Sequence, residues 1–600
     1  MQRNLAKWEN GLAFLITMAV FVVVAFRAYN VSITHDEVLT FFKFVQTGKV
    51  WPAEGLWDAN NHFLNTWLSR LSFLTFGSSE LALRLPSLLG ALIFILYAWR
   101  WAAEAHSAMI RWALYIGLIS CSFLAEFFAL SRGYGLSIAL MTAGLFHLTK
   151  WSSAQNIGQL LIGLALLSLA AFANLSLLML LPITILWAVA VTWLGANRKQ
   201  RIMEWATLVL FGVLPLTGLA MISMKLRSEG LLYYGTDDGF VDGTLRSLGM
   251  CLIAPWHGDI GFYLLCALLL FNLAMWSVVL WLNRNGVKEL VRIMHLPGLV
   301  LGSIAASVVM HHLMGVKYPL DRAALFLVPL LMLALAQGLN RLQQPSYILQ
   351  VLFAAVLAVF PIHMTTSWNL DRTVLWHDHA NVDELFKKAI EEYGVNPQRA
   401  NFGISVNNLA KPSVMYYSYR EGGPASLFPA WRYADFIIAQ ESEVSEANGM
   451  VSIYNDPISG LHLFRRKTPL TEVLVKDTVI TQLTDSHSEF IKVLQTAAVE
   501  WRGKSVRVLL EGALQTDEVP EIWLVAAVYN SAGIQSQYEF IELDKLHADW
   551  DKGTGKLSHQ IMLPTLPEDA QNLNIYFWNI NTQSIHMGDA RVRLWAIAPN

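Results

Sequence analysis

Between residues 11 and 363 the chain is a succession of apolar segments separated by short breaks. Nothing constrains it more, because a run of about 20 apolar residues is the length of a helix that crosses a bilayer. We expect about eleven such crossings, near residues 11–28, 85–103, 112–130, 133–150, 157–173, 175–194, 203–222, 259–282, 297–313, 322–340 and 346–363. Only 15% of the residues are charged, against about 25% in an ordinary soluble protein. The mean hydropathy of +0.41 points the same way. The first segment is flanked by Arg3 and Lys7, and no small-residue cleavage site follows it. It is therefore expected to stay as a span rather than leave as a signal peptide.

Basic residues in the short loops set an orientation. With the N-terminus in the cytoplasm, one side collects Arg100, Arg111, Lys150, Arg198, Lys199, Arg201, Arg284, Lys288, Arg292 and Arg341. The opposite short loop Asn174 to Ser176 has no basic residue. An odd number of spans puts the C-terminal part outside, in the periplasm if the membrane is the inner membrane of a diderm bacterium. Two long loops fall on that outer side, Tyr29 to Leu83 and Lys225 to Asp259. Long loops on one face of a helical bundle are where a site is built. The first contains an amphipathic stretch, His62 to Leu71, suited to a membrane surface.

From about Thr365 onward charged residues become common and no long apolar run appears. We therefore expect a membrane domain over 1–365, a small α/β domain over 371–467 and a jelly-roll-like β-sandwich over 480–600, the last two extracytoplasmic. In the α/β part, Asp383 to Ile390 reads as an amphipathic helix and Asn401 to Val406 and Ala434 to Ala439 as strands. In the last part the runs alternate, apart from a helix-like stretch at Glu489 to Val493. Trp523, Trp578 and Trp595 are expected in the sandwich core rather than on a sugar-binding face. Net charge is −2 with no Lys/Arg-rich run, so nucleic acid is not an expected partner. Cys121, Cys251 and Cys266 sit in apolar surroundings without metal-ligand spacing and read as fillers.

The residues that carry chemistry begin with Asp36-Glu37, just past the first segment. Alone, the pair is also an ordinary acidic helix start capped by Thr34. On the same expected outer face lie Arg84, Arg132, Lys317 and Arg322, against the loop-charge rule. Cations at membrane depth tend to be functional, although each can also snorkel to lipid headgroups. A group of them beside a carboxylate would suit a phosphate at the bilayer edge.

Four stretches resemble the GT-C glycosyltransferases of the protein O-mannosyltransferase and lipid A aminoarabinose-transferase type. They are Asp36-Glu37; Asn60-Asn61-His62-Phe63-Leu64-Asn65 with the later Gly77-Ser78-Ser79-Glu80 and Arg84-Leu85-Pro86-Ser87; Ser131-Arg132-Gly133-Tyr134-Gly135-Leu136; and Tyr318-Pro319-Leu320-Asp321-Arg322 leading into Leu327-Val328-Pro329-Leu330. The resemblance covers residues 1 to 340. It implies a sugar donor on a polyprenyl phosphate, a lipid, glycan or protein acceptor, and inversion at the anomeric carbon. It assigns Asp36 as the base, with Glu37 supporting it or orienting the acceptor, and the donor phosphate to Arg84, Arg132, Lys317 and Arg322. His35, Asn61, His62, Tyr134 and Asp321 become acceptor or sugar contacts. Many relatives carry Pro-Pro after the loop histidine, whereas His62 is followed by Phe63-Leu64-Asn65, which suggests a subfamily with its own acceptor. No cofactor is implied. A divalent metal stays open as an alternative, although His311 and His312 are adjacent rather than at the i, i+4 spacing of a helical zinc pair. The rival reading is a polytopic lipid or glycan flippase. It would favour internal repeats and charges at mid-membrane, whereas no repeat is visible and the unusual charges fall at segment ends.

Overall fold

The structure is a computed structural model. It describes residues 2–52, 57–195, 198–284, 286–342, 345–394, 401–444, 449–481, 483–516, 521–546 and 554–597. The chain forms two compact units. One comprises residues 1–31 and 43–375, the other residues 32–42 and 376–600.

The first unit is helical. Among the described residues eight helices are long and apolar enough to span a bilayer, which makes the chain an integral membrane protein. They are Lys7–Asn30, Glu80–Ala103, Leu175–Gly195, Arg198–Ser228, Gly258–Leu282, His295–Met314, Asp321–Arg341 and Tyr347–Ser367. The pair Ala108–Ile119 and Ser122–Phe128, bent by 55°, makes a ninth if it crosses as one. The count by length and composition is thus eight or nine rather than eleven. The two remaining expected segments are helices too, Gly133–Ala154 and the shorter Ile157–Ala173. Those two form a hairpin, turned by Gln155 at φ +54 and capped by the Asn156 side chain on the Gly158 amide at 2.9 Å. A Cβ on Gly144 would sit 2.9 Å from the Gly163 carbonyl oxygen, so their backbones approach as only small residues allow. Residues 131–145 are all buried, as suits a helix apolar on every side.

The amphipathic loop stretch is a helix, Phe63–Phe76, but with its faces reversed relative to a soluble protein. Asn65, Thr66, Ser69 and Ser72 are buried, while Trp67, Leu71, Leu74 and Phe76 are exposed. The polar face docks on the next helix: Ser69 donates to the Leu83 carbonyl at 3.0 Å and Ser72 to that of Ala82 at 2.5 Å.

The second unit begins with a five-stranded mixed sheet. Its strands are β1 (Phe402–Val406), β2 (Ala425–Leu427), β3 (Phe436–Gln440), β4 (Met450–Asn455) and β5 (Leu461–Arg466), in the order β2-β1-β3-β5-β4. β1 runs parallel to β2 and β3, and β5 is antiparallel to β3 and β4. Helices Val382–Tyr393 and Lys411–Arg420 accompany it. A sandwich of two antiparallel sheets follows. One holds β8 (Phe490–Ala497), β10 (Ile522–Asn530), β11 (Gln535–Glu542) and β13 (Ala570–Asn579) in the order β11-β10-β13-β8. The other holds β6 (Glu472–Ile480), β7 (Leu483–Ser486), β9 (Ser505–Thr516), β12 (Thr554–Leu563), β14 (Ser584–Met587) and β15 (Ala590–Ile597).

Two expectations are corrected here. The stretch Glu489 to Val493 is not helical; Phe490 opens strand β8. The three tryptophans are not in the sandwich core. That core takes Ile522, Leu524, Ala526 and Val528 of β10 and Leu573, Ile575 and Phe577 of β13. Because strand side chains alternate, Trp523 and Trp578 stand on the opposite, outer face. Trp595 likewise sits out of step with the core residues Val592, Leu594 and Ala596, under the Arg593 guanidinium.

Candidate functional site

In the first unit the motif residues knit three loop–helix junctions together. Arg132 precedes helix Gly133–Ala154, and its carbonyl accepts from the Ser87 hydroxyl at 3.4 Å. Ser87 also reaches the Asn65 side chain at 3.5 Å, and Ser131 meets Ser69 at 3.1 Å. The two glycines that follow are there for contact. A Cβ on Gly133 would lie 1.9 Å from the Ala173 carbonyl oxygen and 2.8 Å from His62 Cβ, and one on Gly135 would lie 2.5 Å from the Phe127 carbonyl oxygen.

This close packing brings His62, Arg132 and Tyr134 together. The His62 ring lies edge to face with Tyr134 at 4.9 Å, and the Arg132 guanidinium stands 6.0 Å from the Tyr134 centroid. Arg132 donates to the Asn60 side-chain oxygen at 2.6 Å. His62 Nδ1 donates to the Ala173 carbonyl at 3.1 Å, which leaves Nε2 as an acceptor with no partner among the described residues. Burial keeps the His62 ring neutral, well below its ordinary pKa, and the nearby guanidiniums of Arg132 and Arg322 push in the same direction.

Arg322 comes from the fourth motif stretch. Its guanidinium sits 4.5 Å from the Tyr234 ring centroid, and the Tyr234 hydroxyl donates to Asp321 Oδ2 at 2.5 Å. Burial raises the Tyr234 hydroxyl pKa; Arg322 opposes this and Asp321 reinforces it, so Tyr234 remains a donor. Asp321 is buried with φ +36, an unusual conformation for a residue with a Cβ. It is held by its amide on Ser247 Oγ at 3.0 Å and by the neighbouring bridge between Tyr318 and Thr236. The second long loop, Lys225 to Asp259, is thus clamped on the Tyr318–Arg322 stretch. Lys317 faces Asp237 of that loop at 3.6 Å.

Arg84 and Asn61 donate to backbone carbonyls. Arg84 is fully buried, and its Nη1 donates to the carbonyls of Ala28 at 3.0 Å and Val31 at 2.6 Å, where the first helix runs out of internal partners. Asn61 is buried and donates to the Val50 carbonyl at 2.9 Å. His311 Nδ1 bonds the Val316 carbonyl at 3.1 Å, and its ring stacks on Tyr318 at 4.4 Å.

Asp36 and Glu37 belong to the second unit. They open the short helix His35–Thr40, whose N-cap is Thr34. The two carboxylates have different surroundings. Glu37 is buried, and its Oε2 accepts from the Thr34 amide at 3.0 Å and the Thr34 hydroxyl at 3.1 Å. Asp36 is half-buried in the first helical turn. The segment is fastened to the α/β domain. Ser32 donates to Asp383 Oδ1 at 2.7 Å, the Ile33 amide to the Tyr417 hydroxyl at 2.8 Å, and Ser413 to the Ile33 carbonyl at 2.9 Å. His35 lies edge to face with His379 at 6.3 Å. Burial, reinforced by His35 and opposed by Asp36, drops the His379 pKa to about 4.

Several of these groups are not marked in the sequence. Tyr234 and His379 carry no motif, and Asn60 lies in the second motif stretch without a role of its own assigned to it. Arg27 and Glu126 form a buried ion pair at 2.9 Å in the first unit. Arg27 also donates to the carbonyls of Asn369, at 2.9 Å, and Arg372, and Glu126 accepts the Val374 amide at 3.0 Å. One signal existed for that pair: a lone acid inside an apolar run is costly and therefore has a partner.

No family model matches the chain, and no curated protein matches it. Its structure is similar to that of ArnT from Cupriavidus metallidurans in the apo state, at TM-score 0.44 and 11% identity over 75% of this chain and 97% of that one. The same protein bound to undecaprenyl phosphate aligns at TM-score 0.43, with 11% identity over the same shares of the two chains. The archaeal oligosaccharyltransferase AglB from Archaeoglobus fulgidus, in complex with an inhibitory peptide and a dolichol-phosphate, aligns at TM-score 0.39 and 10% identity over 94% of this chain and 96% of that one. Arabinosyltransferase EmbB from Mycobacterium smegmatis aligns at TM-score 0.31 and 12% identity, over 98% of this chain and 64% of that one.

Proposed function

We propose that this chain is an inverting GT-C glycosyltransferase that moves a sugar from a polyprenyl-phosphate donor to an acceptor hydroxyl at the outer face of the membrane. The observation that carries the reading is the field at His62. Two guanidiniums, Arg132 and Arg322, act on one buried imidazole that burial already keeps neutral. The nearby carboxylate of Asp321 is engaged by the Tyr234 hydroxyl. The two guanidiniums outnumber that one carboxylate, an excess of positive charge that favours an anion.

In the reaction, the Asp36 carboxylate takes the proton of the acceptor hydroxyl. The oxygen attacks the anomeric carbon from the side opposite the phosphate, and the bond from that carbon to the phosphate oxygen breaks. The electron pair leaves with the polyprenyl phosphate. Positioned proton removal contributes about 10²- to 10⁴-fold. The leaving phosphate is already an anion, so fixed positive charge serves it better than an acid would. Arg132 and Arg322, with Lys317 in the same motif stretch as Arg322, supply that charge. Arg84 holds the end of the first helix, from which the segment bearing Asp36 departs. His62, Tyr134 and Asn61 remain the sugar and acceptor contacts. Glu37 and His35 flank the base.

The test is purified protein in detergent with polyprenyl-phosphate sugars carrying mannose, aminoarabinose or galacturonic acid, read by release of polyprenyl phosphate. Release by the wild type that is lost in Asp36→Asn, with donor binding weakened in Arg132→Lys, is the expected result. Equal release by wild type and Asp36→Asn removes Asp36 as base. Movement of the lipid across vesicles without cleavage points to a flippase instead.

A further inference from the structure

The outer face of the β11-β10-β13-β8 sheet carries a cleft of about 620 Å³. Nothing in the transfer reaction uses it. The strand pattern explains the cleft. On β10 the outward positions run Trp523, Val525, Ala527, Tyr529. The two short residues in the middle make a floor. Val525 is paired with Tyr576 on one side and Phe540 on the other, and Ala527 with Asn574 and Tyr538. Tall rings therefore flank a low floor across three adjacent strands.

The rings are ordered. Trp523 stacks on Phe540 at 4.4 Å, and Trp578 stacks on Phe490 at 5.9 Å. The two pairs meet nearly at right angles, with Trp523 and Trp578 at 5.0 Å and 76°. Phe490 and Tyr538 are half or more exposed, at 57% and 50%. So much aromatic surface left in water marks a binding face rather than unfinished core. Polar groups line the same cleft. The Asn574 side-chain oxygen is shielded from solvent yet has no hydrogen-bond partner among the described residues. The Gln535 side chain reaches Tyr529 at 3.4 Å. Among the described residues Lys492 is the one charged residue lining the cleft, and the Glu489 carboxylate accepts from the Trp578 indole N–H at 3.3 Å beside it.

We propose that this cleft is a carbohydrate-binding site for a short run of sugar rings, separate from the transfer site. A sugar ring offers one face of C–H bonds, which lies flat on an indole, and a rim of hydroxyls, which donate to groups such as the Asn574 oxygen. A cleft of aromatic walls with a few placed polar groups fits such a ligand in size and chemistry. Lys492 in the lining, with Glu489 held on the Trp578 indole, suits neutral or acidic sugars. A bilayer is a poor occupant, because its surface cannot enter a concave site floored by Val525 and Ala527. The proposal does not rest on the transferase reading and stands or falls apart from it.

The test uses the full chain in detergent and calorimetric titration with short linear oligomers of glucose, mannose, N-acetylglucosamine, arabinose and galacturonic acid. At least one oligomer is expected to bind. Trp523→Ala and Trp578→Ala should each weaken it roughly tenfold or more by removing a stacking face. Tyr538→Ala stands on an exposed rim, cannot disturb the sandwich core, and should also weaken binding. Phosphatidylethanolamine–phosphatidylglycerol vesicles are titrated in parallel. Binding of none of the oligomers, binding untouched in all three variants, or variants that change vesicle binding and not sugar binding would each overturn the proposal.

Discussion

Gly133→Ala is the smallest change that should disable the first unit's cluster without touching a charge. The added carbon would sit 1.9 Å from the Ala173 carbonyl oxygen and 2.8 Å from His62 Cβ. A close carbon–oxygen contact needs about 3.3 Å, so the helices must part by roughly 1.4 Å at that point. Overpacking of this kind costs about 1–3 kcal/mol. The His62 bond to Ala173 is stretched with it, a further loss of about 1 kcal/mol. The gain in helix propensity from replacing glycine is at most about 1 kcal/mol. The net sign is destabilising, and the displaced groups are His62 and Arg132. A misplacement near 1 Å in a catalytic constellation lowers turnover by about 100-fold. Gly298→Ala is the control, in helix His295–Met314, where a Cβ meets nothing within 4 Å. It should be neutral or slightly stabilising. Thermal unfolding in detergent and polyprenyl-phosphate release measure both variants. If Gly133→Ala unfolds and turns over like Gly298→Ala, the close approach around His62 is not what assembles the cluster.

Other perturbations separate structure from chemistry. Glu126→Gln removes the carboxylate from buried Arg27 and should cost about 3–5 kcal/mol; a wild-type melting temperature would show that the carbonyls of Asn369 and Arg372 suffice for the guanidinium. Arg84→Met leaves the carbonyls of Ala28 and Val31 without that donor and should cost about 1–3 kcal/mol; a larger loss of donor binding than of stability would return Arg84 to the phosphate site. Burial, opposed by Lys545 and reinforced by Glu542, lifts the Asp544 pKa to about 7. The folded state therefore holds a proton that the unfolded state releases near pH 4. Stability from this group is fully present below that pH and lost as pH rises toward 7. Asp544→Asn should raise the melting temperature at pH 8 and leave it unchanged at pH 4, and an equal shift at both pH values would contradict the assignment.

How much of this was readable from the chain depends on the range of the interactions involved. Each expected apolar segment is helical, that over 112–130 as two helices bent by 55°, because a helix for the bilayer is specified by its own twenty or so residues. Gly133 and Gly135 were visible as part of a motif, but their reason lies in backbones at Ala173 and Phe127. The alternation in β10 was visible too. What it could not say is which side faces in, because Leu524, Ala526 and Val528 are no more apolar than Trp523 and Val525, and a strand that is apolar on both faces has no contrast to read. The attachment of Ser32–Phe42 to the second unit was hidden for the same reason. It rests on Asp383, Ser413 and Tyr417, more than 340 residues away in the chain.

The acidic pair shows what geometry adds to a motif. In sequence Asp36 and Glu37 are interchangeable candidates. In the folded chain Glu37 closes on Thr34, its Oε2 taking both the amide and the hydroxyl, so that oxygen serves the start of the helix. Removing it with Glu37→Ala should cost the helix cap about 0.5–2 kcal/mol and lower activity only as far as the helix start loosens. Glu37→Gln keeps an acceptor for Thr34 and should recover most of that loss. Asp36→Asn should act in the opposite way. It leaves stability nearly unchanged, since the side chain is half-buried in the first turn, and lowers transfer by about 10²- to 10⁴-fold, the contribution of a positioned base. If Glu37→Gln is the more damaging change to rate at unchanged melting temperature, the roles of the two carboxylates are reversed and the reactive proton is removed by Glu37.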